Sequence, residues 1–253
     1  MYTYILRDII KTRKLLHSEV SMNTEKLLNI KEETIRTLGE FKLLPHIHPL
    51  ERRIVLRNYH VINPLRIEEY IARDGYFALE KSLLHNPEYT LNEVIQSNLR
   101  GFGGVGFPTG LKWRYARGYP STEKYIMCNA DEGEPGTFMD KHIMEGDPHS
   151  VLEGMIIAGY TIGAHMGYIY IRMEYPESIK IIQKAIEDAY SYNLLGSTIL
   201  ESNFSFDIEV RVGAGAFICG EETSLIESIE GNRGESRNKP PFPAEFGLFQ
   251  RPT

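Results

Sequence analysis

The sequence predicts an α/β fold, a layered domain with a largely parallel sheet, preceded by a helical N-terminal extension. Two observations carry that expectation. Short β-rich runs alternate with helical patterns through the second half of the chain, and a glycine-rich turn sits between the last such run and the helix after it. The 253 residues, 42% apolar and 25% charged, suffice for a sizeable core and exclude collagen-like, low-complexity and disordered chains.

At the N-terminus Tyr2, Ile5, Leu6, Ile9 and Ile10 recur at helical spacing beside Arg7, Lys11, Arg13 and Lys14. No small-residue cleavage site follows an apolar core, so a signal peptide is not expected. The pattern fits either a cationic helix that docks on a partner or membrane surface, or a terminal helix with a solvated charged face. Residues 1–55 read as a helical extension or docking arm, interrupted at Pro45 and Pro49. His46 and His48 between these prolines have no acidic or thiol neighbour and read as loop residues, so no metal is expected. Residues 56–253 form the α/β domain.

Asn63-Pro64 marks a turn, after which helical spacing runs through Ile67, Tyr70, Ile71 and Leu79 with a break at Asp74-Gly75. Leu91, Val94, Ile95 and Leu99 make one apolar helix face that leads into a first glycine loop, Gly101 to Gly106. Lys124 to Cys128 reads as a buried strand, Asn129 to Asp147 as an acidic loop, and Val151 to Ala164 as a helix. Tyr168 to Met173 is β-rich and Glu177 to Leu195 strongly helical. Phe206 to Val212 alternates as a strand, Gly213 to Gly220 turns, and Glu221 to Glu230 is a helix. The proline- and aromatic-rich tail, Lys239 to Thr253, shows no obvious structural closure.

The net charge of −6, with no long basic run, argues against nucleic-acid binding through a general positive field. The longest uncharged apolar run, Gly154 to Ala164, is well short of the about 20 residues a membrane span needs. Two cysteines, Cys128 and Cys219, exclude a disulfide framework and any four-cysteine cluster built from this chain alone. A reducing, cytoplasmic setting is the expectation.

Four segments carry candidate chemistry. Gly101, Gly103 and Gly106 satisfy a G-x-G-x-x-G spacing, but a helix precedes it and Phe107 stands where a phosphate-binding loop requires lysine. What survives is a glycine cradle backed by Phe107, Gly110, Lys112, Trp113 and Tyr115, either a bed for a flat ring bearing phosphates or a structural turn beside core aromatics. Asn129, Asp131, Glu132 and Glu134 stand at a strand end, where α/β proteins place ligands. Their carboxylates suit ring N–H or ribose hydroxyls, a divalent cation, or simply a solvated acidic turn. In the run from Gly213 to Thr223, Phe217, Gly220, Glu221 and Glu222 open a helix, whose dipole favours the two carboxylates by about 0.3–1 kcal/mol; Cys219, with no His or second Cys beside it, reads as a packing residue. Finally Lys239-Pro240-Pro241-Phe242-Pro243-Ala244 offers one cation and one aromatic face.

Together the segments Gly103 to Trp113, Cys128 to Glu132, Gly213 to Glu222 and Lys239 to Ala244 resemble the NADH-binding flavoprotein subunit of respiratory complex I and the related diaphorase subunits of NAD-linked hydrogenases and electron-bifurcating enzymes. The resemblance runs from about Leu56 to Thr253. It implies a Rossmann-like FMN domain on which NADH stacks, a hydride passing from nicotinamide to flavin, and electrons leaving to iron–sulfur partner subunits of a multi-subunit complex. FMN is implied against Gly103, Gly104, Lys112, Asn129, Asp131, Gly220 and Glu221. The NADH adenine is implied against Phe107, Tyr115 and Phe242, its phosphate near Lys239, and its ribose and nicotinamide portion near Glu134 and Glu222. No side chain need act as acid, base or nucleophile, and the protein's part is positioning. Such a domain could alternatively serve as a non-catalytic assembly module that holds flavin weakly.

Two positions depart from the family pattern. Phe102 replaces a usual arginine and Phe217 a usual tyrosine, the latter removing one hydrogen bond worth on the order of 1 kcal/mol. The family also continues past the Pro-Thr matched by Pro252-Thr253 into an asparagine pair that helps hold FMN, a β-grasp domain and a cysteine-bearing helical bundle. The expectation is a truncated FMN/NADH portion that ligates no iron–sulfur cluster itself.

Overall fold

The middle of the fold is a strand buried on both faces. The computed structural model describes residues 22–39, 48, 50–101 and 106–253. The expected helix from Tyr2 to Lys14, His46 of the histidine pair, and Phe102, Gly103 and Gly104 of the first glycine loop lie outside the described residues. Strand β1 (Tyr125–Ala130) pairs parallel with β2 (Met166–Arg172), which pairs parallel with β3 (Asp207–Gly213). Among the described residues the sheet has these three strands in the order β1-β2-β3. Register runs from Tyr125 opposite Met166, itself opposite Asp207.

Side-chain alternation along β2 sorts two layers. Ile169 and Ile171 enter the main core, each contributing about 1.5–3 kcal/mol by burial. Tyr168 packs with Ile226 and Leu248, and Tyr170 with Cys219 and Leu225, in two smaller clusters. Among the described residues ten α-helices accompany the sheet. In chain order they are α1 (Met22–Leu38), α2 (Ile67–Ala72), α3 (Phe77–Leu83), α4 (Pro87–Gln96), α5 (Thr109–Gly118), α6 (Met139–Gly146), α7 (Pro148–Ile162), α8 (Pro176–Ser191), α9 (Glu222–Ile229) and α10 (Pro243–Phe246).

Helix α7 is buried on nearly every side and touches α3, α4, α5, α6, α8, β1 and β2. Pro148 begins it and Gly163, left-handed at φ 83°, ends it. Its first turns carry polar groups into the core: Tyr70 donates to Glu153 at 2.5 Å, and Tyr76 and His149 share a 2.9 Å hydrogen bond. Asn58 donates to Asp147 at the helix's N-cap. Burial pushes the Asp147 carboxyl well up and depresses His149 to about 3.

Within the expected extension, α1 is docked through buried Leu27 and the Lys31–Asp74 ion pair at 2.5 Å. His48 accepts the Leu50 N–H at 3.2 Å, a turn contact. Two expectations need correction. The acidic stretch Asn129 to Asp147 is a loop only from Asp131 to Phe138, because β1 runs on through Ala130 and α6 forms behind the loop. That helix has no local side-chain cap; the Glu132 carboxylate, from seven residues before it, accepts the Asp140 and Lys141 N–H groups at 2.9 and 3.1 Å. The tail, in turn, does close on the sheet: Pro252 accepts the Tyr125 N–H at 3.0 Å and Leu248 is fully buried.

Candidate functional site

Parallel strands leave their loops at one edge, and the candidate residues gather there. After β1 comes the acidic loop, after β3 the glycine turn, and above both lie α5 and the segment Lys239 to Phe242. Glu221 is the N-cap of α9 and accepts the Thr223 and Ser224 N–H groups at 2.9 and 3.1 Å. Lys239 reaches Glu221 at 2.8 Å and Glu222 at 3.0 Å, while Lys112 on α5 reaches Glu222 at 2.8 Å. Three separate segments therefore meet in one ion-pair network.

Burial works against ionising Glu221 and Glu222, but Lys239 with Thr223 and the helix amides for Glu221, and Lys112 with Lys239 for Glu222, outweigh it and hold both carboxyls below the ordinary range. Burial likewise opposes the charge on Lys239, and the same two carboxylates overcome it and push its pKa up. Both cations are already held by carboxylate.

Asn129 donates to the Gly220 carbonyl at 2.8 Å, tying the acidic loop to the glycine turn. Its Oδ1 accepts the Asp131 N–H at 3.2 Å. Asp131 is 1% exposed, and neither carboxylate oxygen has a hydrogen-bond partner among the described residues. A Cβ built on Gly133 would fall 3.2 Å from Asp131 Oδ2 and 3.3 Å from Phe217 Cα, so the missing side chain leaves room between the two loops. Burial raises the Asp131 pKa, and the nearby Arg172 charge opposes that rise.

The first glycine loop is closed at its base. Gly101 donates to the Phe107 carbonyl at 3.1 Å, Thr109 to Leu99 at 2.9 Å, and Gly106 sits at φ 68°, where a side chain is strained. Gly110 serves packing. A Cβ there would fall 2.8 Å from the Ile95 backbone, so its absence lets α5 lie against α4. Glu132 spends its carboxylate on α6, and the Tyr175 hydroxyl also donates to it at 3.1 Å. Glu134 is exposed, its carbonyl accepting from Thr137. Phe107, Tyr115, Phe217 and Phe242 are all exposed, so their ring faces are open to solvent. Cys219 is buried against Tyr170 and Leu225, and burial pushes Cys128 up to about 11. Among the described residues no three His, Cys, Asp or Glu side chains are placed to hold a metal ion.

Arg172 and Tyr175 meet the acidic loop, although no sequence motif singles them out. Their signal is position, at and just past the end of the middle strand's β-rich run.

Residues 94–250 match the family described as the Nuo51 FMN-binding domain. The chain belongs to that family. Among curated relatives of this Nuo51-family chain, the NADP-reducing hydrogenase subunit HndC of Solidesulfovibrio fructosivorans is 55% identical over 201 residues, 79% of this chain and 41% of that protein. The F subunit of NADH-quinone oxidoreductase from Aquifex aeolicus (strain VF5) is 54% identical over 187 residues, 74% of this chain and 44% of its own length. A crystal structure of a NAD+-reducing NiFe-hydrogenase in the air-oxidized state superposes with a TM-score of 0.63 at 30% identity, covering 92% of this chain and 37% of that one. The chain thus spans less than half the length of these relatives.

The residues fit FMN. The buried, unpartnered Asp131 carboxylate suits a ligand hydroxyl, the Gly133 gap admits a flat group beside it, and Lys112 and Lys239 suit a phosphate.

Proposed function

We propose that this chain is the FMN- and NADH-binding portion of an NADH:acceptor oxidoreductase subunit, as in NADH:quinone oxidoreductase. The observation that carries the reading is the orphaned Asp131 carboxylate beside Gly133 and Gly220, with a two-lysine, two-glutamate network starting at the next residue, Glu221, in a chain of the Nuo51 FMN-binding family. When bound, FMN supplies hydride acceptance and the release of electrons one at a time. The chain's own residues bind and orient. Asp131 accepts a hydroxyl of the ligand, Asn129 ties the two loops together, and Lys112 and Lys239 exchange a carboxylate for phosphate. Phe107, Tyr115 and Phe242 offer faces for an adenine, and Glu134 or Glu222 near a ribose disfavours a 2′-phosphate.

Onward electron flow belongs in this reading to iron–sulfur partner subunits of a multi-subunit complex on the cytoplasmic side. No described helix is long and apolar enough to cross a membrane. Residues 1–55 serve as the docking arm and 56–253 as the cofactor domain. A second reading, the diaphorase subunit of a hydrogenase, draws on the similarity to HndC and to the hydrogenase structure.

The test is anaerobic. The purified chain is loaded with FMN, freed of excess flavin and titrated with NADH while the visible absorbance of bound flavin is followed. Stoichiometric bleaching by NADH, and much weaker bleaching by NADPH, is expected. Flavin that stays oxidised, or washes off, reduces the chain to an assembly module; equal bleaching by NADPH overturns the coenzyme preference.

A further inference from the structure

The middle strand ends in a short turn that touches both ligand-facing loops. Arg172 donates through Nη1 to the Glu132 carbonyl at 2.5 Å and through Nη2 to Glu174 at 2.8 Å, and its guanidinium lies 5.2 Å from the centre of the Tyr175 ring. The Tyr175 hydroxyl donates to the Glu132 carboxylate at 3.1 Å. Glu132 is thus gripped at both backbone and side chain, and it is a non-glycine residue at φ 31°, a conformation that packing must impose. On the other side Met173 donates to the Gly213 carbonyl at 3.0 Å. Glu174 fills the space where a side chain on Gly215, at φ 79°, would stand.

We propose that Arg172 and Tyr175 are positioning residues for the ligand site: they lock Glu132 so that the adjoining Asp131 carboxylate is held, unpartnered, facing Gly133 and Gly220. The chemistry supports it at each step. A loop bearing three carboxylates in four residues, Asp131, Glu132 and Glu134, with Asp140 just inside α6, repels itself, and a guanidinium at the end of the central strand is the one cation that bonds its backbone among the described residues. Arg172 contributes charge as well as geometry, since its field is the one favouring ionised Asp131 against burial and the neighbouring Glu174. The Arg172 Nε is itself buried without a hydrogen-bond partner among the described residues, as are both Asp131 oxygens. Arg172 is thus spent on Glu132 and Glu174 through its two terminal nitrogens, while Asp131 keeps both oxygens unpaired for a ligand hydroxyl to complete.

The inference rests on the flavin reading of the site, and its test separates the two. FMN affinity is measured by flavin fluorescence quenching for the wild-type chain, Arg172→Met, Asp131→Asn and the double variant, each checked for folding by circular dichroism. Each single change is expected to weaken binding about tenfold, and the double change by little more than either alone. A double loss near hundredfold, the product of independent effects, overturns the proposal. Arg172→Lys, which keeps the charge, is expected to recover part of the loss, and with Tyr175→Phe it carries the same cycle if Arg172→Met does not fold. Amide hydrogen exchange over residues 131–137 is read in parallel without ligand. Faster exchange there in Arg172→Lys and Tyr175→Phe is expected, and unchanged exchange overturns the clamp even if the wild type binds no FMN, an outcome that counts against the flavin reading instead.

Discussion

His149 and Asp147, two residues apart at the head of α7, should pull the pH dependence of stability in opposite directions. His149 is wholly buried, bonded to Tyr76 and stacked on Tyr70, and burial first, then the Lys184 charge, depresses it from 6.5 to about 3. The unfolded chain takes up that proton and the folded one does not, so stability from this group is full above 6.5 and falls as pH drops below it. From about pH 8 to about pH 5 the loss is roughly 2 kcal/mol. Asp147 does the reverse: burial and the Glu153 charge raise it above 3.8 against a Ser150 backbone bond, so the folded state holds a proton the unfolded state releases, and stability from this group falls as pH rises above 3.8. The two groups therefore pull against each other wherever both titrate. Asp147→Asn should expose the histidine slope, with urea unfolding showing about 2 kcal/mol less stability at about pH 5 than at about pH 8. His149→Gln should show stability rising as pH falls. Identical slopes in the two variants would refute the account.

Gly110→Ala forces a Cβ against the Ile95 backbone, so a loss of about 1–3 kcal/mol and a lower melting temperature are expected; an unchanged melt would show that α4 and α5 do not meet as described. Lys112→Met and Lys239→Met should each weaken FMN or NADH binding severalfold and make it less sensitive to salt, measured by titration at low and high ionic strength. Neither half-buried Cys128, its thiol pushed up to about 11, nor buried Cys219 should react with iodoacetamide at mildly alkaline pH in the folded chain; rapid labelling by mass spectrometry would contradict the raised Cys128 thiol or the burial of Cys219.

What was legible in the sequence was whatever the chain decides locally. The runs Lys124 to Cys128, Tyr168 to Met173 and Phe206 to Val212 carry β-branched and aromatic residues at strand length, and they became the three parallel strands within two residues at either end. The break at Asp74-Gly75 fell between α2 and α3. The misses were long-range. Helix α6 hides in an acidic stretch because its N-terminal amides are satisfied by Glu132, which no local pattern reveals. The bareness of Gly110 also answers to Ile95 on another helix, a contact that its place in the glycine loop does not announce. In the site, the spacing that put Glu221 and Glu222 at a helix start was readable, but their two lysine partners, 17 and 110 residues away from Glu222, were joined only by the fold.

Helix α7 sets a hierarchy of motion. Enclosed by seven other elements, its amides can open only when most of the domain opens, so their exchange reports global unfolding. The acidic loop and the glycine turn hang from the strand ends with exposed Glu134 and Phe217, and their amides can open without disturbing that spine. Slow and fast clocks thus sit a few residues apart along the same strands. A ligand arriving at the loops should quieten the fast one and leave the slow one keeping the time of the whole domain.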